Sequence, residues 1–111
     1  MTLLKGWLKK MRDKFLSFLG IVKKAGKLFL GMDNVKNNIL KKDITLILVT
    51  KDISQSSLEK IKKVAEEKNV KFFSVNYTME DIYSIVGRRA AIMGISDENF
   101  VNKIISLISP E

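Results

Sequence analysis

The 111-residue sequence contains no cysteine and no histidine, and it has one proline and six glycines. Without cysteine there are no disulfides or thiolate nucleophiles, and without histidine there is no imidazole base. The two absences together exclude the common ligand sets of structural zinc and of haem. The side chains left for chemistry are carboxylates, lysines and hydroxyls, so we expect no metal and no other cofactor.

Long apolar runs are missing as well, since no stretch approaches the ~18 uninterrupted apolar residues that cross a bilayer. The first 14 residues also differ from a signal peptide, because Lys5, Lys9 and Lys10 interrupt their apolar residues. An apolar fraction of 46% beside a charged fraction of 29% argues against disorder. These features predict one folded domain in the cytoplasm.

Positive charge is concentrated in the first part of the chain. The 20 Lys and Arg outnumber the 12 Asp and Glu, which gives a net charge of +8. Residues 1–42 carry eleven Lys or Arg against two Asp, whereas residues 43–111 are nearly neutral. A one-sided excess of this kind favours a polyanionic partner over a merely solvated basic face.

Apolar periodicities predict helices and strands that alternate along the chain. The predicted elements are, in order, a helix ending at Gly26, a strand at 28–30, a helix to about Lys42, a strand at 44–50, a helix opened by Ser56, a strand at 71–75, a helix from Thr78 to Gly87, a strand at 90–95 and a last helix. Four helix–strand repeats closed by a helix predict an α/β fold, a three-layer α/β/α sandwich around a four-stranded mixed sheet.

Three of the predicted helices start at residues that favour N-caps. A side-chain oxygen at such a position accepts a hydrogen bond from a free backbone N–H of the first turn. The expected caps are Asp33 or Asn34 for the second helix, and the capping boxes Ser56 with Glu59 and Thr78 with Asp81.

The first helix is preceded by a basic amphipathic stretch. Leu4, Leu8 and Met11 continue in phase into Phe15, so the apolar stripe runs into the folded domain. We assign residues 1–10 to a basic amphipathic extension and residues 11–111 to a single domain. The extension leaves open an alternative function, an adaptor that attaches to a membrane surface or to another protein through its N-terminal helix.

Enzyme motifs are absent from the sequence. Its glycines form neither a dinucleotide fingerprint nor a P-loop, and no serine stands between glycines in a nucleophile elbow. The carboxylates occur at predicted helix starts or on an exposed helix, where capping and solvation explain them. We therefore expect a non-catalytic binding protein.

Two short segments have the chemistry of a binding site. The turn 31–34 opens a basic helix, and a helix N-terminus offers free N–H donors to phosphates or base edges. The loop 87–90 holds Arg88 and Arg89, which must point outwards because two guanidinium groups cannot be buried unpaired. An ordinary capped turn and a solvated loop are the alternatives. The segments form one site only if the fold brings them to the same end of the sheet.

A series of short motifs runs in order over about residues 12–107. These are the run 19–28 followed by Gly31, Val35 and Ile39, the strand 46–50 followed by Asp52, the segment 69–75, and the run 85–89. In this order they resemble the ribosomal protein L7Ae family, and its small bacterial YlxQ-type members in particular. The resemblance implies an α/β/α sandwich that binds structured RNA, typically kink-turns with tandem sheared G·A pairs.

The resemblance also implies which residues bind the RNA. In the family, the turn that opens the second helix enters the RNA groove, and the loop before the last strand covers an extruded nucleotide. On this chain the implied residues are Lys27, Gly31, Met32, Asp33, Asn34, Lys36, Asn37, Lys41, Val86, Gly87, Arg88, Arg89 and Ala90. We expect the lysines and arginines to hold phosphates, and Asp33, Asn34 and Asn37 to reach base edges.

The second-helix turn differs from the archaeal and eukaryotic family pattern, Gly-x-Asn-Glu-x-x-Lys, at three positions. Asp33 stands in place of the Asn and accepts hydrogen bonds without donating any. Asn34 stands in place of the Glu, so the amide and the carboxylate are exchanged between neighbours. Asn37 stands in place of the Lys and forfeits a phosphate contact, for which Lys36 compensates in part.

The resemblance implies partners as well. The expected partner is a structured RNA, ribosomal or regulatory, with the ribosome as the place of action. We expect a monomer that binds neither DNA nor a membrane.

Overall fold

Helices and strands alternate along residues 13–108, the part of the chain that the computed structural model describes. The elements are α1 (Lys14–Lys24), β1 (Leu28–Leu30), α2 (Met32–Asn38), β2 (Ile44–Val49), α3 (Gln55–Lys68), β3 (Lys71–Ser74), α4 (Met79–Val86), β4 (Ile92–Ser96) and α5 (Glu98–Ile108). The predicted order of helices and strands is confirmed. The strand ends differ from the sequence predictions by one or two residues, which is the usual uncertainty at element boundaries.

The four strands form one mixed sheet in the order β1-β4-β2-β3. β2 and β3 are parallel, and β4 is antiparallel to both of its neighbours, β1 and β2. β1, β2 and β3 therefore run in the same direction. Their carboxyl ends lie at one edge of the sheet, where β4 begins, and we call this the carboxyl edge.

Helices cover both faces of the sheet, so the predicted three-layer sandwich is confirmed. Buried residues of α1, α4 and α5 pack with Leu46 and Leu48 of β2 on one face. Buried residues of α2 and α3 pack with Ile47 and Val49 of the same strand on the other face. This two-sided burial explains why β2 is apolar almost throughout. Each fully buried aliphatic side chain of this kind contributes about 1.5–3 kcal/mol.

A glycine in β4 lets α2 approach the sheet closely. A Cβ placed on Gly94 would lie 3.1 Å from side-chain atoms of Ile44 and of Val35, the buried residue of α2. This spacing is tighter than ordinary van der Waals contact, so only glycine fits without displacing these neighbours. Gly94 thus helps to set the position of α2, the helix in which the sequence predicts a binding turn.

α2 starts earlier and ends earlier than the sequence indicates. It begins after Gly31, which makes no side-chain cap, so Asp33 lies in the first turn, and the predicted cap at Asp33 or Asn34 is wrong. The regular helix ends at Asn38, and the following residues to Lys42 form turns in place of the predicted helix. Gly31 takes over the capping position because its backbone adopts a conformation in which the chain turns directly from β1 into α2.

α3 begins after a single capping side chain, whereas α4 begins with a reciprocal capping box. Ser54 caps α3 by accepting a hydrogen bond at 3.3 Å from the Ser57 N–H, so the predicted box of Ser56 and Glu59 is wrong. The cap lies two residues earlier because Ser54 is the last residue with extended backbone (φ −69°, ψ 152°). α4 has the predicted capping box, in which both hydrogen bonds are present.

The predicted extension at residues 1–10 lies outside the described residues. Within residues 13–108, the continuation of its apolar stripe is buried as predicted, with Phe15, Leu19 and Val22 in the core and Phe18 half-buried. None of the helices in this same range has the length and hydropathy needed to cross a bilayer.

Candidate functional site

A cleft of about 390 Å³ opens at the carboxyl edge of the sheet. It lies where α2, α3 and α4 begin and where the chain enters β4. We call it the carboxyl-edge cleft. Its lining residues are Gly31, Met32, Asp52, Ile53, Ser54, Ser57, Met79, Arg89, Ala90, Ala91 and Ile92. The carboxyl ends of strands in open α/β sheets are a common position for ligand sites, because helix N-termini converge there.

The two segments singled out from the sequence meet in this cleft. The Gly31 N–H donates a hydrogen bond to the Ile92 carbonyl oxygen at 2.9 Å. This bond fastens the start of α2 to the start of β4, directly after the loop that carries Arg88 and Arg89. Gly31 and Met32 therefore line one part of the cleft, and Arg89 and Ala90 line another.

Gly31 occupies a backbone conformation that other residues rarely adopt. Its φ of 95° and ψ of 157° lie in a region that is essentially restricted to glycine. Among residues 13–108, no atom beyond its chain neighbours lies within 4 Å of the position that a Cβ would take. The space beside Gly31 is therefore open, and a ligand can approach the backbone at the start of α2 closely.

The three helices that begin at the cleft differ in how their first N–H groups are satisfied. The Ser54 side chain caps α3. The Met79 N–H of α4 donates to both carboxylate oxygens of Asp52, at 3.1 and 3.3 Å, in addition to the capping box of that helix. α2 has no side-chain cap. Within residues 13–108, no side chain accepts from the N–H groups of the first turn of α2, so these donors are available to water or a ligand.

The exposed face of α2 presents a hydrogen-bond acceptor and a hydrogen-bond donor on adjacent residues. Asp33, Asn34, Lys36 and Asn37 are all exposed. The Asn38 Nδ2 donates to the Asn34 Oδ1 at 2.8 Å and to the Asn34 carbonyl oxygen at 2.7 Å. Because its amide oxygen accepts this bond, Asn34 presents its Nδ2 group as a donor beside the acceptor carboxylate of Asp33.

Both arginines of the loop before β4 point to solvent, as the sequence predicts. The Arg89 Nη2 lies 2.6 Å from Glu80 Oε1, and the side chains of the two residues are 63% and 62% exposed. The Arg89 Cζ also lies 5.6 Å from the centre of the Tyr83 ring, a cation–π arrangement. Arg89 is thus held between two residues of α4. Arg88 has no ion pair among residues 13–108.

Lys27, Lys41 and Val86 do not join the arginines at the cleft. Lys27 precedes β1 and lines a separate pocket with Lys42 at the opposite edge of the sheet. Lys41 lies beyond the end of α2, also away from Gly31. Val86 is 4% exposed and belongs to the core. Lys27 and Lys41, which we expect to hold phosphates, therefore lie apart from the arginines, and the buried Val86 side chain contributes no surface to the cleft.

Four residues at or beside the cleft were not singled out as binding residues from the sequence: Asp52, Met79, Glu80 and Tyr83. Asp52 follows a buried strand closely, and polar residues in that position are a recognisable signal for the carboxyl edge. Glu80 and Tyr83 carry no such signal, because their contacts with Arg89 depend on the path of the loop after α4.

A second polar contact at the carboxyl edge anchors α1. The Tyr77 hydroxyl donates to the Asp13 Oδ1 at 3.0 Å, and the same oxygen accepts the Leu16 N–H at 3.0 Å. The Tyr77 ring stacks on Phe15 with 4.9 Å between ring centres. Burial, reinforced by the hydrogen bond to the Asp13 carboxylate, raises the pKa of Tyr77 to about 12. The hydroxyl therefore stays protonated and acts as a structural donor.

Metal-ligand chemistry finds little support at the carboxyl edge. Among residues 13–108, no group of three or more Asp and Glu side chains is arranged to hold a metal ion. Asp52, which lines the cleft, accepts from the Met79 N–H, and Glu80 is paired with Arg89. What the arrangement offers a ligand is a set of hydrogen-bond donors and acceptors with two exposed guanidinium groups.

Comparison with known proteins places the chain in a family. The sequence profile of the ribosomal protein L7Ae/L30e/S12e/Gadd45 family matches residues 13–104. A protein of Enterococcus faecium, named RNA-binding protein YlxQ, is 26% identical over 97 residues, which cover 87% of this chain and 93% of the relative. A protein of the same name from Bacillus subtilis strain 168 is 28% identical over 100 residues, covering 86% and 95%.

The fold is shared with a solved structure. A protein of unknown function from Bacillus halodurans superimposes with a TM-score of 0.80 at 21% sequence identity, and the match covers 89% of this chain and all of the other. This likeness concerns the fold alone. The family profile spans the sandwich from α1 into α5 and includes both segments that meet in the carboxyl-edge cleft. The chain belongs to the ribosomal protein L7Ae/L30e/S12e/Gadd45 family.

Proposed function

We propose that the protein is a non-catalytic RNA-binding protein and that the carboxyl-edge cleft, with the exposed face of α2, is its RNA interface. The observation that carries this proposal is the meeting of Gly31 and Arg89 in one cleft. Membership of the family and the names of the two curated relatives support RNA as the ligand class.

The exposed face of α2 suits the reading of base edges. The Asp33 carboxylate accepts hydrogen bonds from the exocyclic amino groups of guanine or adenine, and the Asn34 Nδ2 donates to ring nitrogens or carbonyl oxygens. The open space beside Gly31 lets the RNA approach the uncapped first turn of the helix. A carboxylate in this position also repels phosphates, which favours contact with bases over contact with the RNA backbone.

The phosphate contacts come from a small number of cations. Arg88 is exposed in the loop before β4, and Lys36 is exposed on α2. Asn37 carries no charge for a phosphate, and Lys27 and Lys41 lie away from the cleft. We infer a small number of phosphate contacts, about two, and a log–log salt dependence of roughly 1.5–2 units.

The RNA itself is a structured one, and the finer proposal is a kink-turn with tandem sheared G·A pairs. Such pairs present amino groups and ring nitrogens in the RNA groove, where an acceptor and a donor on adjacent residues of α2 can meet them. The protein acts as a monomer in the cytoplasm in association with the ribosome. These details rest on the resemblance of the site residues to those of the family.

Electrophoretic titration tests the function directly. The full chain is titrated against a kink-turn RNA, the same RNA with its G·A pairs replaced by Watson–Crick pairs, and a DNA duplex, each at two salt concentrations. We expect at least about a fivefold preference for the kink-turn, since one good base contact is worth ~1–3 kcal/mol. Equal affinity for the two RNAs would contradict the proposal that the ligand is a kink-turn. The absence of RNA binding even at low salt would contradict the proposed RNA-binding function.

A shortened chain separates this function from an adaptor role. Removal of residues 1–10 leaves all of the described residues, including those that line the cleft, in the chain. The RNA proposal expects the shortened chain to retain most of its affinity for the RNA. An adaptor that works through the N-terminal segment instead predicts that binding to anionic vesicles, or to a protein partner, is present in the full chain and lost in the shortened one.

A further inference from the structure

Arg89 differs from its neighbour Arg88 in being held by the protein itself. Its guanidinium donates to Glu80 on one side and lies over the Tyr83 ring on another. Both partners belong to α4, one turn apart, so they fix the direction of the guanidinium as well as its place. The five N–H donors of an arginine are arranged in a rigid fork, and this contact with Glu80 leaves donors free.

The ion pair changes what Arg89 offers to a ligand. The Glu80 carboxylate neutralises much of the charge of the guanidinium, so the attraction of Arg89 for a phosphate is reduced. The remaining N–H groups keep their direction, because the Tyr83 ring and the carboxylate restrain the side chain. A guanidinium group whose charge is paired but whose N–H groups keep a fixed direction can donate to the acceptor edge of a base, such as the O6 and N7 atoms of guanine. It binds a mobile phosphate less well, because phosphate binding depends more on charge than on direction.

We propose that Glu80 is a specificity-determining residue: by pairing with Arg89 it converts this arginine from a phosphate contact into a reader of a base edge. The inference rests on the proposed function, since it concerns the same cleft. It explains why two adjacent arginines coexist in a loop whose surroundings include the carboxylates of Asp52 and Glu80. In this proposal Arg88 binds a phosphate through its charge, and Arg89 binds a base edge through its oriented N–H groups.

The substitution Glu80→Gln tests the inference, because it removes the negative charge and keeps the shape of the side chain. The matched control is Glu67→Gln, which changes the net charge equally. Glu67 is exposed near the end of α3, about 15 Å along the helix axis from Ser57, which lines the cleft. The two probes are unstructured poly(U) and the kink-turn RNA, and thermal melting confirms that both variants are folded.

With the charge of Arg89 no longer paired, we expect Glu80→Gln to bind poly(U) about two- to fivefold more tightly than Glu67→Gln does, the range that corresponds to an exposed ion pair. The salt slope for poly(U) should rise by roughly 0.7 units, one additional phosphate contact. Affinity for the kink-turn RNA should not rise in parallel, so the ratio of the two affinities falls. In an Arg89→Ala background, the difference between the two Gln variants should disappear.

Two results would overturn the inference. One is equal behaviour of Glu80→Gln and Glu67→Gln on both RNAs, and the other is an effect of Glu80→Gln that persists without Arg89. The proposed function fails separately, and this inference with it, if the unchanged protein binds neither RNA. The comparison on poly(U) does not require that the kink-turn is the right structured ligand. If the protein shows no preference for the kink-turn, the poly(U) comparison still tests whether Glu80 pairs with Arg89 during RNA binding.

Discussion

The Gly31 amide and the Ile92 carbonyl oxygen are joined by a hydrogen bond of 2.9 Å across the edge of the sheet. Through this bond the turn that opens α2 is attached to the strand entered from the arginine loop. Both segments therefore face one cleft, although most of the chain lies between them. If this attachment positions the candidate site, a change in the backbone conformation of Gly31 should alter both stability and RNA binding.

Replacement of Gly31 by Ala should destabilise the fold and weaken RNA binding together. The backbone conformation of Gly31 is essentially restricted to glycine, so Ala costs about 1–3 kcal/mol even though no atom in the described part of the chain obstructs its Cβ. Urea unfolding measures the loss, and RNA titration measures the affinity. Gly26→Ala is the matched control, since Gly26 also has a positive φ of 75° and open space but lies after α1, away from the cleft. It should lose stability without losing affinity beyond its unfolded fraction.

The two arginines of the loop should respond differently to truncation. Arg88→Ala is expected to lower the salt slope of RNA binding by about 0.7–0.9 units, the loss of one phosphate contact. Arg89→Ala should lower it less, because Glu80 already neutralises that charge. Lys62→Ala, on the exposed face of α3, controls for net charge. Melting temperatures should change little, since exposed pairs contribute at most about 1 kcal/mol. A large loss of stability would instead assign the loop a structural role.

The hydrogen bond from Asn38 to Asn34 should orient the donor on α2. Asn38→Ala leaves the Asn34 side chain free to rotate, so we expect a several-fold loss of affinity for structured RNA with little change in binding to poly(U). Asn34→Ala should produce a loss at least as large. Circular dichroism checks the helix, since an i, i+4 pair of this kind stabilises it by only ~0.2–0.5 kcal/mol. Equal losses on structured and unstructured RNA would contradict a role in base reading.

Stability should depend on the protonation of Tyr77 at high pH. Its pKa is raised from 10.0 to about 12 by burial and by Asp13, so the folded state holds the proton more tightly than the unfolded state does. The stabilisation is complete below pH 10 and is lost as the pH rises towards 12. Tyr77→Phe keeps the ring stacked on Phe15 and removes the hydroxyl.

Urea unfolding at several pH values measures this dependence. At pH 7 the Phe variant should be about 1–3 kcal/mol less stable, because the hydrogen bond to a carboxylate is lost. The difference from the unchanged protein should shrink above pH 10. A constant difference between pH 8 and 12 would show that the hydroxyl does not titrate with folding.

Local patterns in the sequence were sufficient for the order of the elements. The β-branched run of β2 and the stripe of Phe15, Leu19 and Val22 have periods that follow from strand and helix geometry, so they require no knowledge of partners. The capping box of Thr78 and Asp81 is likewise local. Ser54 was missed as the cap of α3 because Ser56 and Glu59 fit the same local pattern, and the choice between them depends on where the extended backbone ends.

The candidate site could be predicted only in pieces. Gly31 and the arginines stand out because their residue types imply unusual backbone freedom or obligatory exposure. Their meeting depends on strand order, and the placement of Lys27 at the opposite edge depends on the direction of β1. The partnership of Arg89 with Glu80 and Tyr83 depends on how the loop turns back over α4, which the αL conformation at Gly87 permits.

The sequence by itself determined the alternation of helices and strands, the buried character of β2 and the family resemblance, because each of these resides in short-range patterns. The tertiary structure alone decided that β1 pairs with β4, and hence that Gly31 lies beside the arginine loop while Lys27 and Lys41 do not. The physical reason is that the pairing of strands depends on packing between residues that are far apart in the sequence, so short-range patterns do not determine it. Net charge and residue type indicate a class of partner, whereas the candidate site depends on where the sheet brings the carboxyl ends of its strands together.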